Sequence, residues 1–311
     1  MDVINQAHGK DWTLYNGDVC EVIKGIPDAS VGFSIFSPPF SSIFVYSDSE
    51  RDMGNCATDA EFFEHFSYLT PELYRITIPG RLCAVHCSDL PMHKYKDGHV
   101  GIKDFPGEIV RTFINSGWIF HSRVMIWKDP VVEMQRTKAL GLLHKQICKD
   151  STYSRMGIAD QLVVFRRPGD EHPVHKPKGF NPKDYIGDMS GEVMTSIDVW
   201  QRYASPVWMD INQTRTLNVR VARGDKDERH LCPLQLDVIE RAVQLWTNPD
   251  EVVFTPFAGI GSELYGALSK GRKAIGVELK PEYFKAAINN LKAIDEQNRK
   301  GSFMEMLGVA V

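Results

Sequence analysis

Seven short stretches of the chain combine apolar and β-favouring residues in the way that is typical of buried strands. They are Trp12–Tyr15, Val31–Phe36, Arg81–Cys87, Trp118–Trp127, Gln161–Arg167, Glu251–Phe254 and Lys273–Glu278. Apolar residues recur at helical spacing between several of them. The four clearest stripes are Phe62–Leu73, Ile109–Ile114, Leu236–Trp246 and Phe284–Ile294. Strands that alternate with helices predict an α/β fold with a mostly parallel sheet and helices on both faces.

Proline and glycine refine these predicted elements. Pro71 lies inside the first stripe and predicts that this helix kinks or splits there. Gly117 follows the second stripe and is suited to end its helix. Pro281 precedes the fourth stripe, where it fits the first turn of a helix.

Two regions do not follow the alternation of strands and helices. Residues 128–160 separate two strands that could otherwise form a hairpin. Residues 168–228 begin with PGDEHPVHKPKGFNPKD and later contain Trp200, Tyr203 and Trp208. Loops of this length in a compact domain are usually functional or mobile. We interpret the three aromatic residues as core rather than as a platform for a nucleic-acid base.

Charge is distributed unevenly along the 311 residues. The formal net charge is −4, which argues against nonspecific binding to polyanions. Residues 123–157 nevertheless hold seven Lys or Arg against three acids. This cluster is either a solvated face or a local binding face. Its members of interest are Arg136, Lys138, Lys145, Lys149 and Arg155.

Several features favour a cytoplasmic protein. The N-terminus lacks the basic and apolar regions of a signal peptide, and no apolar run approaches the roughly 18 residues that span a membrane. The six cysteines show no paired spacing, which favours a reduced chain. Cys83, His86 and Cys87 lie close together, but no second ligand pair accompanies them. We therefore expect core and strand-end residues there, and no metal site.

A glycine turn follows the strand at Glu251–Phe254. Gly259-Ile260-Gly261 precedes a predicted helix, and the next strand ends at Glu278, 17 residues beyond Gly261. Glycines at such a turn let a ligand approach the backbone, and an acid on the next strand can accept hydrogen bonds from ribose hydroxyls. The pattern predicts a nucleoside cofactor. Leu264 replaces the third glycine of the dinucleotide fingerprint, and no P-loop is present.

The strand at Val31–Phe36 ends in Ser37-Pro38-Pro39-Phe40. Neither proline can donate a ladder hydrogen bond, so the strand is expected to stop before them. The sequence therefore places a hydroxyl, a fixed turn and a large aromatic ring at the tip of a buried strand.

Together these two motifs resemble the S-adenosylmethionine-dependent DNA amino-methyltransferases. The Ser-Pro-Pro-Phe tetrapeptide matches their catalytic motif (D/N/S)PP(Y/F/W). The segment from Thr255 to Ser262 resembles their cofactor motif DPFxGxGT, with Thr in place of the leading Asp. The catalytic motif comes first, which resembles the circularly permuted β class. The resemblance implies a Rossmann-like methyltransferase fold with a mostly parallel, twisted seven-stranded sheet.

The resemblance also implies roles for individual residues. Gly17 and Asp18 are similar to the segment that contacts adenine, Glu278 to the ribose-binding acid, and RHLCPLQL to the KHPxPxP element. The implied catalytic residues are Ser37, Pro38, Pro39 and Phe40. The implied cofactor-binding residues are Asp18, His230, Pro233, Thr255, Pro256, Phe257, Gly259, Gly261, Ser262 and Glu278.

The chemistry of amine methylation explains the catalytic motif. An exocyclic amine is a poor nucleophile, because its lone pair is delocalised into the ring. The Ser37 hydroxyl and the Pro38 carbonyl would accept its hydrogens, and Phe40 would stack on a base flipped out of the duplex. In this family Ser-Pro-Pro is typical of enzymes that act on cytosine N4, so cytosine is favoured. Adenine N6 remains the alternative, because a hydroxyl, an amide and a carboxylate can all accept the bond.

The expected organisation is one catalytic domain with an insert. Residues 1–127 and 158–167 form the catalytic part, and 229–311 form the S-adenosylmethionine-binding part. Residues 128–157 form a basic DNA-contacting insert, and 168–228 form a target-recognition region. DNA is the expected partner, and the resemblance also allows a homodimer. Any restriction nuclease would be a separate chain, and a phage-borne or solitary regulatory role is equally open.

Three other functions compete with this one. Methylation of protein glutamine or RNA is typical of enzymes with the cofactor motif first and Asn rather than Ser. A non-catalytic nucleic-acid-binding protein with the same fold is favoured only by Thr255, which replaces the usual Asp. A nicotinamide dehydrogenase predicts GxGxxG and an early cofactor domain, and this chain has neither.

Overall fold

The computed structural model describes residues 3–40, 52–92, 94–152, 154–170, 181–187, 193–217 and 233–306. The strands in these ranges are β1 Asn5–His8, β2 Trp12–Asn16, β3 Val31–Phe36, β4 Thr77–Ser88, β5 Leu90–Met92, β6 Gly101–Lys103, β7 Ile119–Ile126, β8 Asp160–Arg166, β9 Val207–Trp208, β10 Val252–Thr255 and β11 Lys273–Glu278. The α-helices are α1 Val19–Val22, α2 Asp59–Ile76, α3 Lys94–Asp97, α4 Phe105–Asn115, α5 Pro130–Thr137, α6 Ser196–Tyr203, α7 Leu236–Trp246, α8 Ser262–Ser269 and α9 Pro281–Met306.

One large sheet organises the described part of the chain. Its nine strands follow the order β1-β2-β11-β10-β3-β4-β8-β7-β9, and a separate hairpin joins β5 to β6. Strands β2, β11, β10, β3 and β4 run parallel, whereas β8 is antiparallel to both β4 and β7. The mostly parallel sheet is confirmed, and the two strands that flank the first irregular region pair antiparallel as β7 and β8.

All seven predicted strands are present, but the predicted total of seven is wrong. The polar strand β1 pairs antiparallel with β2, and the two-residue strand β9 pairs with β7 at the opposite edge. Neither has an apolar run that a pattern could reveal. Their backbone hydrogen bonds to a neighbouring strand define them.

The two faces of the sheet bury two separate cores. Ile35 and Ala84 point into one core with residues of α7, α8 and α9. Phe36 and Val85, their neighbours along the chain, point into the other with residues of α2 and α4. This alternation is the period of two that strands impose. Helices on both faces are thus confirmed, and all four apolar stripes are helical.

Pro71 does not split its helix, contrary to the prediction. Helix α2 runs unbroken through it. The proline leaves the Ser67 carbonyl without its usual N–H partner, and the Thr70 hydroxyl lies 3.5 Å from that oxygen. Leu69 and Leu73 are fully buried on either side of the proline, so their packing holds both halves of the helix in place.

Part of the predicted recognition region packs against α7. Arg241 of α7 is fully buried, forms an ion pair with Asp210 at 3.0 Å and lies 4.9 Å from the ring of Trp208. Trp208 and Tyr203 are core residues, as predicted. Trp200 is 63% exposed, so its assignment to the core is wrong: it lies outside the stripe by which α6 contacts α7.

The carboxyl ends of the five parallel strands lie at one edge of the sheet, where ligands of α/β proteins usually bind. Both motifs follow strands that end there, because β3 leads into Ser37 and β10 into Pro256. In the described ranges, no helix has the length and apolar character needed to cross a membrane.

Candidate active site

A cleft of about 1250 Å³ opens at this edge of the sheet. It is lined by most of the residues that the sequence predicted for the site. From the catalytic and cofactor sets these are Asp18, Ser37, Pro38, Pro39, Phe40, Pro233, Pro256, Phe257, Gly259, Ser262 and Glu278. From the basic cluster they are Arg136, Lys138 and Arg155. Segments more than 200 residues apart in sequence therefore share one cavity.

Four predicted residues that the structure describes do not line the cleft. Thr255 and Gly261 are buried behind it, and Lys145 and Lys149 are exposed outside it. Gly261 has φ +89°, and a Cβ there would lie 3.2 Å from Ala287 of α9. This glycine therefore permits close packing of α8 against α9. His230 lies outside the described residues.

The glycine turn and the acid at the end of β11 are directly joined. Gly259 has φ +52°, and a side chain there would meet nothing within 4 Å, so its backbone faces the cleft. The Gly259 N–H donates to Glu278 Oε2 at 2.7 Å, and the Lys280 N–H donates to Oε1 at 2.8 Å. The Glu278 carboxyl is therefore fixed in orientation beside the exposed turn.

The cleft has two lobes. Two buried acids, Glu278 and Glu263, determine the electrostatic character of the lobe beside the glycine turn, which we call the acidic lobe. Burial raises the pKa of Glu278 to about 7, the charge of Asp52 adds to the effect, and the two N–H bonds oppose it. Burial also raises the pKa of Glu263 to about 8, with a further contribution from Glu278. Desolvated carboxyls of this kind favour a ligand that brings positive charge or hydroxyl donors.

The end of β2 closes the same lobe. Asp18 caps α1 by accepting the Cys20 N–H at 2.9 Å. The Asn16 amide donates to the backbone oxygens of Glu278 and Leu279, at 2.8 and 3.0 Å, and so ties the two strand ends together. Further lining residues that were not predicted include Asp52, Met53, Lys280 and Tyr283. None of them belongs to a recognisable motif, because only the tertiary structure brings them to the cleft.

The Ser-Pro-Pro-Phe tip forms the other lobe. Strand β3 ends at Phe36, as the prolines predict. The Ser37 Oγ lies 2.9 Å from Nδ1 of His86. Phe40 is half-buried, with its ring centroid 6.0 Å from that of Phe105. A hydroxyl and an aromatic ring therefore face the same space from one short turn.

His86 belongs to a longer chain of polar groups that the sequence did not reveal. Its Nε2 lies 3.3 Å from Asp160 Oδ2, and Lys128 donates to Asp160 Oδ1 at 2.5 Å. Burial opposes the charge of Asp160, but His86 and Lys128 outweigh it and lower the pKa to about 2. Asp160 is therefore an ionised acceptor at neutral pH.

The alternation of side chains between the two faces of a sheet could have revealed these linked polar groups. Ser37 continues the face of Ile35, and His86 continues that of Ala84, its partner in the parallel ladder. Cys83 and Cys87 point to the opposite face and are fully buried, as expected for core residues. Among the described residues, no group of three or more His, Cys, Asp or Glu is arranged to hold a metal ion.

Helix α5 brings the basic residues to the mouth of the cleft. Arg136 lies in its last turn, and Lys138 follows it in the left-handed conformation. Arg155 approaches Glu133 at 3.8 Å from the other side. Three positively charged side chains therefore lie at the mouth of the cleft, together with the carboxylate of Glu133.

Comparison with known proteins identifies the family of this chain. An α/β sheet with both motifs at its carboxyl edge is the arrangement that the sequence resemblance predicts for a methyltransferase. The family model for N6/N4 methyltransferases, described as DNA methylase, matches residues 31–289. The type II methyltransferase M.HindIII of Haemophilus influenzae is 31% identical over 295 residues, which cover 93% of this chain and 86% of that protein. The chain therefore belongs to the N6/N4 DNA methylase family.

Solved structures share the fold. A Thermus thermophilus protein named as a DNA modification methylase, in complex with S-adenosyl-L-methionine, has a TM-score of 0.63 at 20% identity, covering 90% of this chain and 93% of that one. The PvuII DNA methyltransferase, named as cytosine-N4-specific, has a TM-score of 0.61 at 15% identity, covering 93% and 90%. The methyltransferase fold is confirmed, and family membership supports S-adenosylmethionine as the cofactor. The permuted motif order stays a prediction.

Proposed function

We propose that this DNA methyltransferase modifies the exocyclic amine of a flipped-out base, with cytosine N4 favoured over adenine N6. The observation that carries the proposal is the meeting of two motifs in one cleft. Ser37 and Phe40 face it from the tip of β3, and Gly259 and Glu278 face it from the neighbouring strands. A cleft of about 1250 Å³ exceeds the usual size of a small-molecule site, so a nucleoside cofactor and a base can share it.

S-adenosylmethionine fits the acidic lobe. Glu278 would accept ribose hydroxyls beside the open Gly259 backbone, and Asp18 and Tyr283 would face the adenine end. Glu263 adds a buried carboxyl that suits a ligand bearing positive charge. When bound, this cofactor supplies an electrophilic methyl group.

The chain's own residues prepare the acceptor amine. The Ser37 hydroxyl and the Pro38 carbonyl would accept its N–H groups and make the nitrogen lone pair available. The ring of Phe40 would stack on the base and hold the amine in line with the methyl group. Since these groups are fixed by two prolines at a buried strand end, little reorganisation is needed at reaction. The choice of cytosine rests on Ser37.

DNA would approach over the basic mouth of the cleft. We assign phosphate contacts to Arg136, Lys138 and Arg155, which position the duplex without reading its sequence. Lys145 and Lys149 would extend this surface outside the cleft. Residues 168–228 remain the proposed recognition region, and 128–157 the basic insert.

Type II relatives suggest a partner outside this chain. M.HindIII is named as a type II methyltransferase. A restriction nuclease, if one accompanies this protein, would be a separate chain. We also propose a cytoplasmic location, where DNA is accessible, and a homodimer as one assembly to test.

Mass spectrometry of nucleosides tests the proposal directly. Unmethylated DNA is incubated with S-adenosylmethionine and either the wild-type protein or Ser37→Ala. N4-methylcytosine with the wild type alone is the expected product. N6-methyladenine would keep the reaction and the site and overturn the choice of cytosine. If neither methylated base is detected, on single- or double-stranded DNA, the proposal that the protein methylates DNA is overturned.

A further inference from the structure

We infer that His86, oriented by Asp160, takes up through Ser37 the proton that the target amine loses. The inference rests on the proposed function, because it assigns a task within that reaction. Its basis is the chain of contacts from Ser37 Oγ to His86 Nδ1 at 2.9 Å, and from His86 Nε2 to Asp160 at 3.3 Å. His86 would not touch the substrate, so it is a positioning and proton-accepting residue.

Asp160 determines which imidazole nitrogen carries the hydrogen. An ionised carboxylate can only accept, so the Nε2 that faces Asp160 carries the hydrogen. Nδ1 is then left with a lone pair, and the Ser37 hydroxyl donates to it. The hydroxyl hydrogen is thereby turned away from the cleft. The oxygen lone pairs of Ser37 then point toward the incoming amine, which brings only N–H donors on that side.

The chain also gives the displaced proton a destination. As the amine nitrogen bonds to the methyl carbon, the electron pair of the broken carbon–sulfur bond stays with the methyl donor. One N–H bond then breaks, and its electron pair returns to nitrogen. The proton passes to Ser37 Oγ while the original hydroxyl proton passes to His86 Nδ1. The imidazolium is stabilised by Asp160 and later releases its proton to solvent through the cleft.

The groups next to His86 in the chain of contacts and in the sequence are poor acceptors for this proton. Asp160 is held ionised, with its pKa at about 2, and Lys128 is already a cation that binds it. Burial raises the pKa of the neighbouring Cys87 thiol, whose side chain lies on the opposite face. The hydroxyl of Ser37 is directed to His86. The remaining charged groups that line this lobe are Asp89, Glu133, Arg136, Lys138 and Arg155.

The decisive experiment measures single-turnover methylation as a function of pH. Full-length wild type, His86→Asn, Asp160→Asn and the control His121→Asn are compared from about pH 5.5 to 9. His121 is exposed on β7, outside the cleft. All four proteins are measured at saturating S-adenosylmethionine, so that protonation of Glu278 does not limit the rate. His86→Asn keeps a hydrogen-bonding side chain but should react about 100-fold more slowly than the wild type and follow a different pH profile.

The outcomes separate this inference from the proposed function. A wild type that methylates DNA, together with a His86→Asn variant that keeps both its rate and its pH profile, would overturn only the role of His86. A wild type that forms no methylated base would overturn the proposed function itself. Cofactor affinity, measured calorimetrically, should be unchanged in both variants, since neither side chain lies in the acidic lobe.

A second measurement does not depend on variants that fold. Nitrogen-15 NMR of histidine-labelled wild-type protein reports which ring nitrogen of His86 is protonated. The Nε2–H tautomer near neutral pH is expected. An Nδ1–H tautomer would reverse the direction of the Ser37 hydrogen bond and overturn the inference, whatever the activity of the variants.

Discussion

The rings of Phe36 and Phe257 meet edge to face, with centroids 5.8 Å apart. Phe36 immediately precedes Ser37, and Phe257 lies at the start of the glycine turn. One aromatic contact therefore joins the last buried residue of the catalytic strand to the cofactor segment. Because Phe36 is fully buried, displacement of either motif would disturb the other.

The first prediction concerns this contact. Phe257→Ala removes a ring that lines the cleft and contacts Phe36, so we expect about tenfold weaker S-adenosylmethionine binding and a lower methylation rate. Isothermal titration calorimetry and single-turnover kinetics measure the two effects. Phe120→Ala is a suitable control, because that ring lies on β7 away from the cleft. Unchanged affinity in Phe257→Ala would show that the contact does not shape the cofactor lobe.

The second prediction separates catalysis from cofactor binding. Ser37→Ala and Phe40→Ala should each lower turnover by about a hundredfold, because one removes an acceptor for the amine and the other the stacking surface. Both should bind S-adenosylmethionine with near-normal affinity. Ser122→Ala on β7 serves as the control. Loss of cofactor binding with unchanged turnover per bound cofactor would contradict the assigned roles.

Local signals explain what the sequence could predict. Pro38 and Pro39 end β3 by their own chemistry, and Gly259 permits its turn by its own backbone freedom. Both effects act within a few residues, so the pattern around them is sufficient. The same holds for the helical stripes, whose apolar period is visible in the chain. The prediction for the exposed Trp200 failed because nothing local shows which face of α6 meets α7.

Tertiary contacts explain what the sequence missed. Asp160 lies 74 positions beyond His86 in the chain, and only the antiparallel pairing of β4 with β8 brings them together. The sequence alone assigns His86 to the core or to a strand end, because it does not reveal these partners. Lys145 and Lys149 are lysines of the same basic cluster as Lys138, yet they lie outside the cleft. Charge clusters show that a basic surface exists, but the path of the backbone decides which members reach the site.

The third prediction uses the pKa of Glu278. Burial raises it to about 7, so the carboxylate that would accept ribose hydroxyls is increasingly protonated below that pH. S-adenosylmethionine affinity should therefore fall as the pH is lowered from 8 to 6, by up to about tenfold. Glu278→Ala should bind weakly at every pH and lose this dependence. Glu282→Gln, on the exposed start of α9, is the control. Wild-type affinity in Glu278→Ala would remove the residue from the site.

The fourth prediction concerns stability without cofactor. Burial raises the pKa of Glu263 from an ordinary 4.5 to about 8, so the folded state holds this proton more tightly than the unfolded chain. The resulting stabilisation is complete below pH 4.5 and is lost as the pH rises through 8. Glu263→Gln stays neutral, so its melting temperature should exceed that of the wild type increasingly from pH 5 to 8.5, by an amount worth a few kcal/mol at most. A difference in melting temperature between the two proteins that stays constant across this pH range would contradict the raised pKa of Glu263.

The fifth prediction divides the basic cluster by position. Lys138→Ala removes a cation at the mouth of the cleft, so we expect weaker DNA binding on all sequences and a salt dependence reduced by about one counterion. Lys145→Ala removes the same charge from an exposed position outside the cleft and is the matched control. Fluorescence anisotropy with one duplex at several salt concentrations gives, for each variant, the slope of log affinity against log salt concentration. Since the two variants share the same net charge, a smaller slope in Lys138→Ala alone would tie the DNA path to the mouth of the cleft. Equal slopes would mean that net charge, rather than the position of Lys138, governs binding.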